Sequence, residues 1–379
     1  MTSARVDVIG RLVLDDRVAA GRVAVEDGRI VSVDAQDEVP QGSGDASGPY
    51  ITPGFVDVHT HGGGGHDVMD GAAGMDGTAR HLIAHGVTSF LPTGVTAPLP
   101  ELVRFAEAYR AWRPAVGPDV AEPLGFNLEG PFLSAWRKGA HDPSYLRDPA
   151  DVALDDLEPL VDGLRVMTVA PELPGALELI GWLRERGVAT SMGHSAATLD
   201  QALAGYAAGG TTTTHLFNAM TGVDHRAPGL AVAALGDDNA YVELIADGIH
   251  VHPALWPLIT RTKPADRLML ISDAISLAGT DVGRATIGGL EVEVVGQRVT
   301  LVGTTTLAGS VIALDPAVRN LVASGVALPA AVAAASRNPL AMLGVTDRGR
   351  LTVGQRADLV ELDDDLAVRR VMRAGTWVA

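Results

Sequence analysis

Two histidines one residue apart are the side chains whose type and spacing best suit metal chemistry. His59 and His61 end an apolar run that begins at Phe55, and four glycines follow at once, at 62–65. In a β-strand, residues i and i+2 point to the same face, so the two imidazoles would lie side by side where a strand meets a loop. Neutral imidazole is a frequent metal ligand. The segment therefore predicts a metal site; two polar residues opening a loop are the alternative.

The middle of the chain alternates between strand-like and helical segments, and this alternation predicts the frame for such a site. The strand-like runs lie at 55–61, 87–93, 124–132, 164–172, 188–194, 211–218, 240–251 and 267–274. Eight strands alternating with helices predict an α/β fold of the (β/α)8 or TIM-barrel type. An open doubly wound sheet is the alternative, but no G-x-G-x-x-G motif opens a helix after a strand, which argues against its dinucleotide-binding form.

The two ends of the chain differ from this middle. Short β segments fill residues 5–52 and the tail after 347, and turn-forming clusters such as Pro40-Gln41-Gly42-Ser43-Gly44 separate them. We expect a small β-sandwich-like domain built from both termini, 1–53 and 346–379, around a catalytic barrel at 54–345. A hairpin at 286–305 and two helices, at 310–323 and 329–343, are expected after the eighth strand.

The carboxyl ends of the predicted strands collect ligand-type side chains, and active sites of barrels lie at these ends. Besides the histidine pair, the ends hold Glu129, His194, His215 and Asp273. One carboxylate and two imidazoles, from Glu129, His194 and His215, leave a coordination position open for the water of a hydrolytic metal. His59 and His61 could hold a second ion with Glu129 bridging. Asp273 is predicted to be the general base; a further ligand or a helix N-cap is the alternative.

Composition limits the partners and the metal ligands. The 379 residues carry a net charge of −17, which disfavours nucleic acid or an anionic membrane as partner. There is no cysteine, so a metal must be bound by His, Asp or Glu. The first residues lack the apolar segment of a signal peptide, and no apolar stretch is long enough to span a bilayer. A cytoplasmic enzyme is the expectation.

Short motifs along nearly the whole chain resemble those of the amidohydrolase superfamily. The superfamily-level motifs are Pro-Gly-Phe-Val-Asp-Val-His-Thr-His at 53–61 and Gly-Arg-Leu-Thr-Val-Gly-Gln-Arg-Ala-Asp-Leu-Val at 349–360. More specific motifs resemble the N-acetylglucosamine-6-phosphate deacetylase family: Leu-Glu-Gly-Pro-Phe (128–132), Lys-Gly-Ala-His (138–141), Met-Gly-His-Ser (192–195), His-Leu-Phe-Asn-Ala-Met (215–220), His-Arg-Ala-Pro-Gly (225–229), Ala-Asp-Gly-Ile-His (246–250), Ser-Asp-Ala (272–274) and Thr-Leu-Ala-Gly-Ser (306–310).

The resemblance implies removal of acetate from a phosphorylated amino sugar. It implies that Glu129, His194 and His215 hold a divalent metal, most commonly zinc, with iron, manganese and cobalt as alternatives, and that Asp273 is the acid and base. It also implies a set of substrate contacts: Ala140, His141, Asn218, Ala219, Arg226, His250, Leu307, Ala308 and Gly309. Within this set His141 would donate to the acetyl oxygen, and Arg226 with His250 would bind the phosphate. A homodimer in which Arg226 reaches the neighbouring subunit's site is also implied.

Three competing functions remain open at this point. The nearest is deacetylation of another N-acetylhexosamine phosphate, such as N-acetylgalactosamine 6-phosphate. A dihydroorotase- or deaminase-type amidohydrolase is more distant, because no lysine occupies the bridging position of two-zinc hydrolases and Glu129 takes that part. The third is a non-catalytic scaffold on the same fold, which would lack the metal ligands that this chain retains.

Overall fold

The computed structural model describes residues 5–38 and 48–379, so the turn expected at 40–44 lies outside the described residues. Its centre is built from eight strands: β1 (Phe55–Thr60), β2 (Val87–Val95), β3 (Phe126–Glu129), β4 (Leu164–Val169), β5 (Ala189–Met192), β6 (Gly210–Thr213), β7 (Val242–Leu244) and β8 (Leu268–Leu270). The strands β1 to β6 form one parallel sheet in chain order, and β7 pairs with β8, also in parallel.

Backbone hydrogen bonds join the two sheets into a ring. Thr213 N donates to Tyr241 O at 3.0 Å, which links β6 to the segment entering β7. Asp273 N donates to His59 O at 2.9 Å, which links the end of β8 to the end of β1. The predicted (β/α)8 barrel is therefore confirmed, and its closure sets the ends of the first and last strands beside each other.

The helices lie between the strands and after the last one. They are α1 (Ala72–Ala84), α2 (Leu99–Trp112), α3 (Glu158–Val161), α4 (Ala176–Glu185), α5 (Leu199–Ala208), α6 (Leu230–Gly236), α7 (Trp256–Thr262), α8 (Leu314–Ala323), α9 (Leu328–Ala334) and α10 (Arg337–Met342). Thr198 opens α5 with a reciprocal capping box to Gln201. Gly86 and Gly187, which follow α1 and α4, have φ of 80° and 70°, the left-handed turn that lets the chain enter the next strand.

The single helix expected at 329–343 is instead two helices, α9 and α10. Pro339 explains the break, because proline has no amide hydrogen and its ring would clash with the carbonyl four residues earlier in a continuous helix. The hairpin expected at 286–305 is a three-stranded antiparallel sheet made of Arg284–Ile287, Leu290–Val295 and Arg298–Leu301. It follows β8, as expected.

Both ends of the described chain contribute to one seven-stranded sheet. Its order is Thr376–Trp377, Val368–Arg373, Leu359–Leu362, Tyr50–Pro53, Val6–Val13, Val18–Glu26 and Arg29–Glu38. The antiparallel pairing of Tyr50–Pro53 with Leu359–Leu362 joins the N-terminal and C-terminal strands directly. Within the described ranges, no helix combines the length and apolar character that crossing a membrane requires.

Candidate metal centre

Three side chains from three strand ends meet almost at a point. The Nε2 atoms of His194 and His215 lie 3.1 Å apart, and each lies close to Glu129 Oε1, at 3.1 and 3.0 Å. All three residues are at most 4% exposed. Two imidazole nitrogens and a carboxylate oxygen that converge in a buried space form a donor set that suits a divalent cation with nitrogen and oxygen ligands.

Hydrogen bonds on the far side of two rings, those of His194 and His61, orient their Nε2 atoms toward Glu129. His194 Nδ1 lies 2.8 Å from Arg137 O, and His61 Nδ1 lies 2.9 Å from Thr93 O. A carbonyl oxygen can only accept, so each Nδ1 carries a hydrogen, and in the neutral form of each ring the lone pair of Nε2 faces inward. This is the usual arrangement for metal-binding imidazoles.

The histidine pair of β1 faces the opposite side of Glu129. His61 Nε2 lies 3.2 Å from Glu129 Oε2 and 3.3 Å from Asp273 Oδ1. His59 Nε2 lies 3.6 Å from Glu129 Oε1 and also 3.6 Å from Asp273 Oδ1. The ligand atoms of His59, His61, Glu129 and Asp273 all lie within 4.8 Å of one another. The structure thus brings the six predicted strand-end residues into one cluster, in which Asp273 contacts the histidine pair.

Three of these residues have a strained backbone. His194, His215 and Asp273 have φ of 46°, 27° and 51°, in the left-handed region that costs a non-glycine residue about 1–3 kcal/mol. Each stands just after a barrel strand, where the conformation aims the side chain at the centre. Strain of this kind at several converging polar residues is typical of functional sites.

The electrostatics favour ionised carboxylates. Burial alone would raise the pKa of Glu129, but the imidazoles of His59 and His141 hold it well below its usual range. Burial would likewise raise the pKa of Asp273, and its hydrogen bond with His61 lowers it instead. Burial lowers the pKa of His194 to about 4, so that ring is neutral, as a metal ligand must be. Burial would also lower the pKa of His61, yet its hydrogen bonds to Asp273 and Glu129 raise it to about 9.

A cavity of about 490 Å³ opens above the cluster and contains most of the expected substrate contacts. The expected contacts that line it are Ala140, His141, Asn218, Ala219, His250, Leu307, Ala308 and Gly309. His141 Nε2 lies 3.4 Å from Glu129 Oε2, and its buried Nδ1 has no hydrogen-bond partner among the residues that the structure describes. His250 Nδ1 lies 2.7 Å from Asp247 Oδ2, and this contact orients the ring at the cavity wall.

Arg226 is placed differently from the other expected contacts. It is exposed, and its backbone N–H donates a hydrogen bond to Asp224 Oδ1 at 2.8 Å. Of the residues that the structure describes, those lining the cavity do not include Arg226. Two basic residues that sequence reasoning missed, Arg137 and Lys138, do line the cavity. Lys138 is the first residue of the Lys-Gly-Ala-His motif and Arg137 immediately precedes it, so the motif was the signal available in the sequence.

Sequence reasoning also missed two buried carboxyl groups beneath the cluster. Asp57 accepts hydrogen bonds from Ser272 Oγ at 2.5 Å and from the backbone of His59 at 3.2 Å; burial raises its pKa to about 6. Glu243 Oε2 lies 3.1 Å from His59 Nδ1. An acidic residue inside an apolar strand such as Val242-Glu243-Leu244 must find a partner when buried, and that was the missed signal.

The glycine run after His61 packs against a histidine of α1. A Cβ on Gly63 would come within 2.3 Å of His81 Cδ2, and a Cβ on Gly279 within 2.4 Å of His81 Cε1. His81 therefore fills the space between the loop after β1 and the loop after Asp273. The close approach of the ring explains why glycine is needed at these positions.

The fold and this site agree with comparisons to known proteins. The amidohydrolase family model matches residues 50–378, so the chain belongs to the amidohydrolase family. Its relatives are deacetylases of amino-sugar phosphates. It is 40% identical to N-acetylgalactosamine-6-phosphate deacetylase of Escherichia coli O157:H7, over 96% of this chain and 94% of the relative. It is also 40% identical to N-acetylglucosamine-6-phosphate deacetylase of Homo sapiens, over 88% of this chain and 84% of the relative.

Solved structures similar to this chain are also amino-sugar phosphate deacetylases. A variant of N-acetyl-D-glucosamine-6-phosphate deacetylase from Mycobacterium smegmatis, in complex with N-acetyl-D-glucosamine-6-phosphate, superposes with a TM-score of 0.90 at 37% identity, covering 99% of this chain and 100% of the other. The deacetylase of Thermotoga maritima also gives 0.90, at 33% identity and 99% coverage of both chains. The resemblance found in the sequence motifs is confirmed, and the chain is an enzyme of this family.

Proposed function

We propose that the protein removes the acetyl group from N-acetyl-D-glucosamine 6-phosphate and releases D-glucosamine 6-phosphate and acetate. The observation that carries this proposal is the convergence of Glu129, His194 and His215, with Asp273 beside them, at the floor of a cavity of about 490 Å³. The whole-length similarity to deacetylases of N-acetylhexosamine 6-phosphates supports it.

In this proposal Glu129, His194 and His215 hold a divalent cation, for which we propose zinc. Iron, manganese and cobalt accept the same nitrogen and oxygen ligands. When bound, the cation supplies Lewis-acid chemistry, which polarises a carbonyl oxygen and lowers the pKa of water towards about 7.

The chain's own side chains move the protons and position the substrate. Asp273, whose lowered pKa keeps it ionised at neutral pH, takes a proton from the attacking water and passes it to the leaving nitrogen. His141 lines the cavity beside Glu129 and donates a hydrogen bond to the acetyl oxygen as negative charge develops there. His250 is steadied by Asp247 and faces the phosphate end of the substrate.

We infer that the phosphate site is completed by a second copy of the chain. The expectation from the sequence motifs is that Arg226 binds the phosphate, yet Arg226 is exposed and lies outside its own chain's cavity. Both observations are met if Arg226 reaches the neighbouring subunit's site in a homodimer.

Hybrid dimers test this arrangement. Arg226→Ala chains keep Asp273, and Asp273→Asn chains keep Arg226, so each pure dimer should be nearly inactive. Mixing the two after subunit exchange should restore activity, because one site in each hybrid has both residues. Mixtures that stay inactive although hybrids form, or full activity of a demonstrated monomer, would contradict the shared site.

The 40% identity over 366 residues to an N-acetylgalactosamine-6-phosphate deacetylase favours a second candidate substrate, the galactosamine epimer. Acetate release from a panel decides between the two. The panel holds both N-acetylhexosamine 6-phosphates and their unphosphorylated forms. We expect the glucosamine 6-phosphate derivative to give the highest kcat/KM. Equal turnover of the unphosphorylated sugars would contradict phosphate recognition, and no turnover of any member would remove the proposed activity.

A further inference from the structure

Trp136 is the most exposed large apolar side chain among the described residues, and it lines the candidate substrate cavity. It is 89% exposed, which places it at the opening of that cavity. Single exposed apolar residues are common on protein surfaces, so the position of this one is what distinguishes it. Of the described residues that line the cavity, it is the only tryptophan, tyrosine or phenylalanine. The proposed metal ligands, base and phosphate contacts do not include it.

The backbone on both sides of Trp136 is hydrogen-bonded to His194, a proposed metal ligand. Ser134 N donates to His194 O at 2.9 Å, and His194 Nδ1 donates to Arg137 O at 2.8 Å. Arg137 N donates to Ser134 O at 2.9 Å, which closes a single 3-10 turn, Ala135–Arg137. Trp136 is the middle residue of this turn. Its backbone is therefore fixed relative to the metal centre, while its indole lies in solvent.

The chain that follows this turn packs against the same imidazole and leads to the floor of the cavity. Gly139 has φ of 55°, and a Cβ there would lie 3.0 Å from His194 Cε1. His141, two residues later, is 4% exposed and lies beside Glu129. One segment, 134–141, thus carries a buried imidazole at the floor and an exposed indole at the opening. A substrate whose acetyl group contacts His141 would have its sugar ring nearer the opening, where the indole lies.

An exposed indole is chemically complementary to a pyranose ring. Equatorial hydroxyl groups leave axial C–H bonds on the faces of the sugar, and these hydrogens pack against the negative face of an aromatic ring. Tryptophan offers a large rigid face at a low cost in conformational entropy, and the fixed turn lowers that cost further. The other apolar residues that line the cavity, such as Val95, Ile287 and Leu307, are aliphatic and lack this face.

We propose that Trp136 is a substrate-binding residue that stacks on the sugar ring of the N-acetylhexosamine 6-phosphate. Polar and charged groups bind the two ends of this substrate, and the indole supplies the apolar contact with the carbon skeleton between them. The inference rests on the deacetylase activity proposed above and adds recognition of the closed pyranose ring. Because the ring keeps this contact in the ground state and in the transition state, stacking lowers KM and leaves kcat unchanged.

Quenching of tryptophan fluorescence by acrylamide tests the contact directly. Trp377 is partly covered by the guanidinium of Arg370, 4.1 Å from its ring centroid. Three of the five tryptophans are at most 9% exposed: Trp112, Trp182 and Trp256. Trp136 should therefore dominate the quenchable signal, and Trp136→Phe identifies its share. Saturating D-glucosamine 6-phosphate, which has no acetyl group to lose, should protect this share from acrylamide. D-glucitol 6-phosphate, which has the same phosphate on an open chain, should protect it much less.

Kinetics of acetate release from N-acetyl-D-glucosamine 6-phosphate give the second readout. Trp136→Ala should raise KM by about 10-fold, the scale of one aromatic contact, with kcat and metal content unchanged. Trp136→Phe keeps an aromatic face and should recover most of the affinity, whereas Trp136→Leu keeps only apolar bulk and should not. Trp377→Phe is the matched control, because Trp377 belongs to the terminal sheet and should leave KM unchanged.

Several results would overturn the stacking. They are an indole that stays open to acrylamide when calorimetry shows D-glucosamine 6-phosphate bound, equal protection by D-glucitol 6-phosphate, and a wild-type KM in Trp136→Leu. A fall in kcat or metal content in Trp136→Ala would instead make Trp136 a support for His194. An indole shielded without ligand, and opened by dilution, would assign it to an interface between two copies of the chain.

Failure of the stacking and failure of the proposed function are distinguishable. Bound sugar phosphate beside an open indole removes the stacking and leaves the deacetylase intact. A wild type that neither binds D-glucosamine 6-phosphate nor releases acetate from any member of the panel removes the proposed function, and the stacking with it.

Discussion

Two clusters of charged side chains in this protein are assembled in opposite ways. Where the barrel meets the terminal sheet, Arg348, Arg356 and Arg373 contact Glu122, and Arg356 also lies 2.5 Å from Asp358. Arg348 further pairs with Asp347 at 2.8 Å. Three guanidinium groups thus face three carboxylates, and the cluster is balanced by the chain alone.

The cluster at the carboxyl ends of the strands has no such balance. Within the described parts of the chain, the ion pairs of Glu129 and Asp273 are with histidines, and none is with lysine or arginine. Histidine has an ordinary pKa near neutrality, so it is not a permanent cation. The comparison teaches that clustered carboxylates have two meanings here: the arginine cluster is balanced by permanent cations of the chain, and the histidine cluster is not, which is what the proposed cation-binding role requires.

The largest expected effect comes from removing a ligand of the histidine cluster. His194→Ala and His215→Ala should each lose bound metal and deacetylase activity together, because each removes one of three converging donors. Elemental analysis of the purified variants, beside acetate release, checks this. If either variant kept both its metal and most of its turnover, the proposed metal-binding role of the histidine cluster would be contradicted.

Asp273→Asn should separate proton transfer from metal binding. The substitution keeps the shape of the side chain and removes its capacity to carry a proton. We expect kcat to fall by at least about 10²-fold, the usual contribution of a general base, with metal content nearly unchanged. A variant that keeps most of its turnover would refute the role as base. Because Asp273 Oδ1 lies 3.3 Å from His61 Nε2, loss of metal would instead make Asp273 chiefly a ligand.

Breaking the arginine cluster should affect stability and leave the chemistry intact. Asp358, 2% exposed at its side chain, holds the guanidinium of Arg356. Asp358→Asn should lower the free energy of unfolding by about 3 kcal/mol, the usual cost of removing one partner of a buried ion pair. Denaturant unfolding measures this, and metal content and kcat should match wild type. Loss of metal in this variant would show that the two clusters are not independent.

The smallest expected effect is a pH dependence of the folding stability that Glu122 of the arginine cluster contributes. Burial would raise the pKa of Glu122, but Arg356 and Arg348 lower it below its ordinary 4.5. A carboxyl with a depressed pKa stabilises the fold above its unfolded-state pKa, and this stabilisation is lost as the pH falls through the folded-state pKa. The stability difference between wild type and Glu122→Gln should therefore be full at pH 7 and shrink below about pH 4.5. A difference that stays constant to lower pH would contradict the ion-pair explanation.

Much of this architecture could be predicted from local sequence. The alternation of strands with helices that end in glycine predicts the barrel. The positions of Glu129, His194, His215 and Asp273 at the strand ends predict that they belong to the site. The interruption between α9 and α10 was missed because Ala-rich composition outweighed the single Pro339. Glu243 and Asp57 were missed because their hydrogen-bond partners lie far away in the sequence. His59 is 184 residues from Glu243, and Ser272 is 215 residues from Asp57. Only the closed barrel brings these pairs together.

One measurement tests the central claim most directly. Acetate release from N-acetyl-D-glucosamine 6-phosphate is followed with the chelator-treated protein, before and after a divalent cation is returned. Activity should disappear with the cation and return in proportion to the amount bound, while the fold held by the arginine cluster persists throughout. Undiminished acetate release by protein shown to hold no cation would contradict the account.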